Sequence, residues 1–242
     1  MDTLITNVTA VTMTPGAEVL FGVNIGITDG KIEFISKKVP EELPQTIIEG
    51  TGMVAMPGLI NCHTHLATSV LRCFTDDLSN KEALEALLQK EARMDSRSAK
   101  AAATLSIAEC LRFGVTSVSD LYYYPDATAK AVAETGIKGN LALSAYRFVD
   151  ECEEFDFETD EQCREFQRVV DKWHGFDNGR IKIDAGIYSE YTGNYPLWEA
   201  LAGYASEKGL GMQLHLSESQ NEVDSCLDRT GMTPGELLSC HR

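Results

Sequence analysis

Two histidines stand two residues apart in Leu59-Ile60-Asn61-Cys62-His63-Thr64-His65, and a third, His215, closes the run Met212-Gln213-Leu214-His215. Both runs read as β-strands. Side chains alternate between faces along a strand, so Leu59, Asn61, His63 and His65 share one face. Two imidazoles on one face at the C-terminal end of a strand can converge on one metal ion, and imidazole suits zinc, iron or nickel. Alone, the H-x-H pair fits a hydrogen-bonded pair of core histidines as well. His215, at the same end of a later strand, adds a third ligand. Three neutral imidazoles leave an open position for water, whose pKa falls to about 7 on such a metal. Glu218, three residues after His215, can take a proton from that water and pass it to a leaving nitrogen; its other reading is a cap on the following helix. His174 follows a helical stretch and His241 lies at the terminus. Neither is assigned a role.

The elements that position these residues come in two styles. Residues 1–56 read as short strands: Leu4 to Met13, Val19 to Thr28 and Lys31–Ser36, with Ile47-Ile48 and Met53–Met56 as two more. Asp29-Gly30 between the second and third is a two-residue hairpin signal. The expectation is a small all-β domain, an antiparallel sheet packed on the remainder of the chain. After Pro57-Gly58, strands alternate with helices. Strands are expected over 59–65, 115–119, 141–146, 180–188 and 211–216. Helices are expected from Ser79, as a capping box, to about Met94, then over 96–113, 126–135, to Trp173 from a cap at Thr159, and over 196–208. A last helix opens at Thr233-Pro234-Gly235-Glu236. Such alternation means parallel strands with crossover helices. The spacing suits a doubly wound sheet or a (β/α)8 barrel. No glycine-rich phosphate loop follows any strand, which counts against the nucleotide-binding version.

Composition narrows the class. The 242 residues carry 21 Lys+Arg against 37 Asp+Glu, a net charge of −16. Nucleic-acid binding needs a basic footprint, which is missing here. No apolar run approaches the ~20 residues of a membrane-spanning helix, and the start shows no secretory signal. Seven cysteines without a C-x-x-C pair suit free thiols in a reducing cytoplasm. The acidic stretch from Asp150 to Glu161 reads as a solvated loop running into a helix.

The run from Met56 to His65, M-P-G-L-I-N-C-H-T-H, resembles the opening metal motif of the amidohydrolase superfamily, and the small β-domain before it matches that superfamily's layout. Leu71-Arg72, Asp77-Leu78-Ser79, the helix reaching Glu91 and His215-Leu216-Ser217-Glu218 are similar to the branch of S-adenosylhomocysteine/methylthioadenosine deaminases and triazine hydrolases. The resemblance implies that His63, His65 and His215 bind one divalent metal, usually zinc, with iron or nickel as alternatives. It implies that Glu218 shuttles protons and that Glu91 sits where adenosine-type deaminases grip ribose hydroxyls. The implied reaction is hydrolytic deamination of a purine- or pyrimidine-like heterocycle by a metal-activated water, with loss of ammonia. A dechlorinating or other ring hydrolase of the same branch is the alternative.

Departures from the pattern matter as much. Tyr188 stands where adenosine-type deaminases carry a substrate-holding histidine, and Arg147 lies near the family's substrate arginine; both are carried as substrate-binding candidates. The helix after Ser79 lacks an expected tryptophan. The family's strand-six histidine and strand-eight aspartate have no counterpart, and Asp120 cannot replace the latter without a different geometry. Residues 57–242 also fall short of the ~250 that a full barrel takes. The expectation is therefore the N-terminal part of an amidohydrolase: residues 1–56 from a composite β-sandwich, and 57–242 as the first five βα units of an incomplete TIM-like (β/α)8 barrel. Stand-alone catalysis is the open question. The expected partner is a small heterocyclic substrate, with neither nucleic acid nor membrane, and a homo-oligomer in the full-length form is left open.

Overall fold

The computed structural model describes residues 1–16, 19–78, 80–147 and 155–240. Ser79 of the capping box, residues 150–154 of the acidic stretch and His241 lie outside the described residues. The chain divides into two compact units, Met1–Gly58 and Leu59–Arg242.

The first unit is one sheet of β1 (Thr3–Val11), β2 (Val19–Thr28), β3 (Lys31–Ser36), β4 (Thr46–Glu49) and β5 (Val54–Ala55), in the order β3-β2-β1-β4 with β5 also on β1. Asp29 and Gly30 both have positive φ, 50° and 70°, which is the primed turn that matches strand twist, and Thr28 faces Lys31 across it. The sheet is mixed where the sequence suggested an antiparallel one, because β4 and β5 run parallel to β1. Residues 37–45 return the chain to the end of the sheet where β1 begins, so β4 runs alongside it. Val8, Ala10, Val23 and Ile25 form the core of this unit. At Asn7 the β1 ladder slips and φ reaches 51°. Buried Asn24 staples that bulge: its Oδ1 accepts the Asn7 N–H at 3.1 Å, and its Nδ2 donates to the carbonyls of Lys37 and Lys38.

The second unit is a five-stranded sheet in the order β10-β9-β8-β7-β6, with every neighbouring pair parallel. Its strands are β6 (Leu59–Thr64), β7 (Val115–Tyr122), β8 (Lys138–Leu143), β9 (Ile181–Ser189) and β10 (Met212–His215). The helices are α1 (Asn80–Glu91), α2 (Ser96–Arg112), α3 (Pro125–Thr135), α4 (Glu161–Trp173), a single turn α5 (Phe176–Gly179), α6 (Tyr195–Lys208), α7 (Gln220–Thr230) and α8 (Pro234–Cys240). β9 shows why the faces separate. Ile181, Ile183, Ala185 and Ile187 are fully buried in one cluster with Phe166 and Val169 of α4 and Leu197 and Leu201 of α6. Each such large side chain contributes about 1.5–3 kcal/mol through burial. Asp184 and Tyr188 fall on the alternate positions. There a polar layer crosses four strands: Ser119 Oγ donates to Gln213 Oε1, and Asn140 and Gln213 both donate to Asp184 Oδ2.

Local signals set the boundaries. Gly136 ends α3 at φ 83°, and Gly209 ends α6 at φ 68°. β8 starts at Lys138, three residues before the expected Leu141, because that stop lets the chain turn at once into the sheet. α4 is capped by Asp160, whose side chain accepts the Cys163 N–H at 3.0 Å, rather than by Thr159, whose hydroxyl turns to the Asp156 carbonyl. α8 opens with the expected box, in which Glu236 Oε2 accepts the Thr233 N–H at 2.9 Å. Among the described residues no helix is long and apolar enough to cross a membrane.

Candidate metal centre and adjoining cleft

His63 lies in β6, His65 directly after it, and His215 ends β10. One ring nitrogen from each lies within 4.8 Å of the others. Two of the rings are held from behind. His65 Nδ1 is 2.5 Å from the Leu121 carbonyl in β7, and His215 Nδ1 is 2.7 Å from the Tyr188 carbonyl in β9. A carbonyl only accepts, so each Nδ1 carries the proton and each neutral ring presents a bare Nε2. The His63 and His215 Nε2 atoms are 3.2 Å apart. Two nitrogens bound at ~2.0–2.1 Å to a tetrahedral ion stand roughly 3.3 Å apart. The donor set therefore fits a divalent metal.

The electrostatics favour the neutral form of His63 and His65. Burial lowers the His63 pKa, as does neighbouring His215, while the Glu218 charge opposes them. Burial likewise lowers that of His65, the Leu121 hydrogen bond raises it, and the two other imidazoles lower it further. Neutral imidazole is the form that binds metal.

Glu218 stands exposed just past β10, close enough for its charge to act on both His63 and His65. It does not cap α7. Ser219 does, accepting the Glu222 N–H, and buried Glu222 in turn accepts the Glu218 N–H on Oε2 at 2.7 Å. Ser217 takes φ 54° to make the turn between His215 and Glu218. Asp120, in β7, is fully buried and accepts the Leu66 N–H on Oδ1 at 2.6 Å, which fixes the turn that leaves His65. Burial pushes its carboxyl up to about 7.

A cleft of about 830 Å³ is lined by Glu91, five tyrosines (Tyr123, Tyr124, Tyr146, Tyr188 and Tyr191) and the start of α4. Tyr188 joins it to the histidines, its ring centroid 5.0 Å from that of His215. The Tyr188 and Tyr123 rings lie parallel within 7°, centroids 6.4 Å apart. Burial pushes the Tyr188 hydroxyl up to about 12. Glu91 ends α1, and Tyr122, itself 5.9 Å from the His65 ring, donates its hydroxyl to Glu91 Oε1 at 2.7 Å. Burial raises the Glu91 carboxyl, an effect the Tyr122 bond partly offsets. Arg147 is not among the lining residues: its Nη2 donates to Asp160 Oδ2 at 2.9 Å and its guanidinium lies over Phe155.

The structure thus gathers His63, His65 and His215, with Glu218 beside them, and sets Glu91 and Tyr188 in an adjoining cleft. Beyond Tyr188, sequence reasoning passes over the tyrosines of the cleft and Glu222. The signals that could find them are the run Tyr122-Tyr123-Tyr124-Pro125 at a strand end and Glu222 three residues after the cap at Ser219.

Three imidazoles and a carboxylate gather at the C-terminal ends of parallel strands, the end at which active sites of parallel barrels lie. The amidohydrolase family pattern matches residues 54–240, and the chain belongs to that family. It is 35% identical over 243 residues to the 5-methylthioadenosine/S-adenosylhomocysteine deaminase of Caldicellulosiruptor saccharolyticus, an alignment covering 98% of this chain and 54% of that protein. The chain spans about half the length of the curated relatives it matches. An adenosine deaminase from Xanthomonas campestris, solved with bound zinc, superposes with a TM-score of 0.88 at 25% identity, covering 99% of this chain and 55% of that one. A zinc complex of atrazine chlorohydrolase from Arthrobacter aurescens gives a TM-score of 0.86 at 24% identity, over 99% and 58%. These neighbours share the TIM-like barrel, and the five parallel strands here form an incomplete version of it.

Proposed function

We propose that the chain carries the metal site of a hydrolase acting on carbon–nitrogen bonds other than peptide bonds, whose reaction is hydrolytic deamination of a purine- or pyrimidine-like heterocycle. The convergence of His63, His65 and His215 beside Glu218 is the observation that carries this reading. One divalent ion, with zinc the first choice for this donor set, supplies Lewis-acid activation of water when bound. The carbonyls of Leu121 and Tyr188 keep His65 and His215 in the tautomer that presents Nε2. Glu218 accepts a proton on its carboxylate and returns it to the leaving nitrogen. Tyr188 offers a ring face to a planar substrate. Glu91 keeps one oxygen for a hydroxylated arm while Tyr122 holds the other. Arg147 acts indirectly, fixing Asp160 at the rim of the cleft. The relative named for 5-methylthioadenosine and S-adenosylhomocysteine supports a purine substrate.

A second reading is that the chain binds metal and heterocycle but turns over only with residues beyond this sequence. Its span, 54% of that relative, favours it. The test is to load the purified chain with zinc and follow ammonia release from adenosine and 5′-methylthioadenosine, alongside metal content. Retention of zinc with turnover, both lost in the His63→Ala/His65→Ala double variant, is the expected result. Zinc retention without ammonia release selects the second reading. A wild-type chain that retains no divalent metal overturns both.

A further inference from the structure

The cleft beside the histidines has a one-sided charge inventory. Glu91, Asp160, Glu161 and Glu165 line it, and among the described residues no Lys, Arg or His does. Two nearby cations pair with its carboxylates: Arg147, which does not line the cleft, gives Nη2 to Asp160 while its buried Nη1 has no partner, and Arg168 pairs with Glu165 at 2.6 Å. The N-terminus of α4 opens on the cleft and would otherwise attract an anion. Asp160 occupies it, accepting the Cys163 N–H, while the Gln162 side chain is committed to the backbone of Tyr146 in both directions. The tyrosine rings feel the same sign of field: Glu91 acts on Tyr123, and Glu218, Glu91 and Glu222 act on Tyr188. Their π-faces stack on planar rings and attract cations.

We infer that this cleft selects a planar aminated ring whose substituent is neutral or cationic and rejects one whose substituent is a phosphate. The inference rests on the deaminase reading and narrows its substrate class. An anionic arm would meet a rim of carboxylates with no Lys or Arg among the described lining residues. A protonated amine would find the exposed carboxylate of Glu161 and the aromatic walls.

The test is to titrate the chain with 5′-amino-5′-deoxyadenosine, adenosine and adenosine 5′-monophosphate by calorimetry at low and high salt. The amine should bind at least as tightly as adenosine, and the monophosphate at least ~10-fold more weakly, a gap that narrows as salt screens the rim. Glu161→Gln should narrow it, and Asp160→Asn, in which asparagine keeps the helix cap, should narrow it further by freeing Arg147. Should Asp160→Asn fail to fold, Glu161→Gln and the salt series carry the test. Monophosphate binding within about threefold of adenosine, or a gap untouched by salt and by both variants, overturns the charge selection and leaves the deaminase reading standing. Zinc binding with no affinity for any of the three nucleosides removes the deaminase reading and this inference with it.

Discussion

Glu222 holds Glu218 through the backbone: its Oε2 accepts the Glu218 N–H at 2.7 Å from a position only 6% exposed. With φ of 54° at Ser217 and the α7 cap at Ser219, this bond fixes where the Glu218 carboxylate leaves the chain. Glu222→Ala removes the acceptor and strands a backbone donor, at about 1–3 kcal/mol. The Glu218 amide should exchange with solvent at least ~10-fold faster (1.4 kcal/mol of opening) in Glu222→Ala and stay protected in Glu222→Gln, which retains an oxygen acceptor. In an active preparation Glu222→Ala should lower kcat more than it raises KM. Equal protection of the amide in wild type and Glu222→Ala would show that the bond does not position Glu218.

Metal binding should register as stability. A ligand that binds only the folded chain adds about 2.7 kcal/mol at a hundred times its Kd. Zinc titration should raise the wild-type Tm, and a chelator should reverse the rise. His215→Ala removes one ring nitrogen of the three that meet within 4.8 Å and should abolish most of the shift. An equal zinc-dependent rise in wild type and His215→Ala would place the binding elsewhere.

How far the sequence can be read depends on which interactions have a period. The alternation of β9, Ile181, Ile183, Ala185 and Ile187 against Asp184 and Tyr188, is periodic, and the faces follow from it. The three histidines are positions at strand ends, so their meeting is readable once the strands are taken as parallel neighbours. The direction of β4 and β5 is set by a connection rather than a pattern, and four- and two-residue strands carry no sign of it. Two of the cleft's tyrosines, Tyr123 and Tyr124, follow directly on β7, where alternation stops applying. Glu222 acts on a backbone amide, and no side-chain spacing announces that. Arg147 reads as a free cation in the sequence, because its partner Asp160 lies thirteen residues on and has the look of an ordinary residue beside the cap.

Asp120 should make the metal-free chain less stable as pH rises. Its folded pKa, about 7, lies above the ~3.9 of an unfolded aspartate. Between those values the folded chain holds a proton that the unfolded chain has released. This contribution is therefore complete below about pH 4 and is lost as pH climbs through 7. Asp120→Asn keeps an oxygen to accept the Leu66 N–H and has no proton to lose. Urea denaturation at pH 4.5, 6 and 8 should show the variant gaining on wild type with each step, by roughly a few kcal/mol in all. A constant difference across the series would mean that Asp120 stays ionised in the folded chain.

The end of β9 depends on a buried charge. Glu190, fully buried, follows Ser189 and receives Arg229 Nη2 from α7 on both oxygens, at 3.0 and 2.7 Å. Removing only the cation leaves an uncompensated carboxylate inside the protein, so Arg229→Ala should cost about 3–5 kcal/mol. Replacing both partners with apolar residues of similar size, Arg229→Met with Glu190→Leu, should cost much less, because no charge then remains buried. A double-mutant cycle by urea denaturation measures the difference, and a coupling near zero would mean that water already reaches Glu190. The consequence extends to the metal site. Tyr188, two residues before Glu190, supplies the carbonyl that orients His215. Arg229→Ala should therefore weaken zinc retention although Arg229 touches none of the three histidines, and the apolar pair should restore part of it.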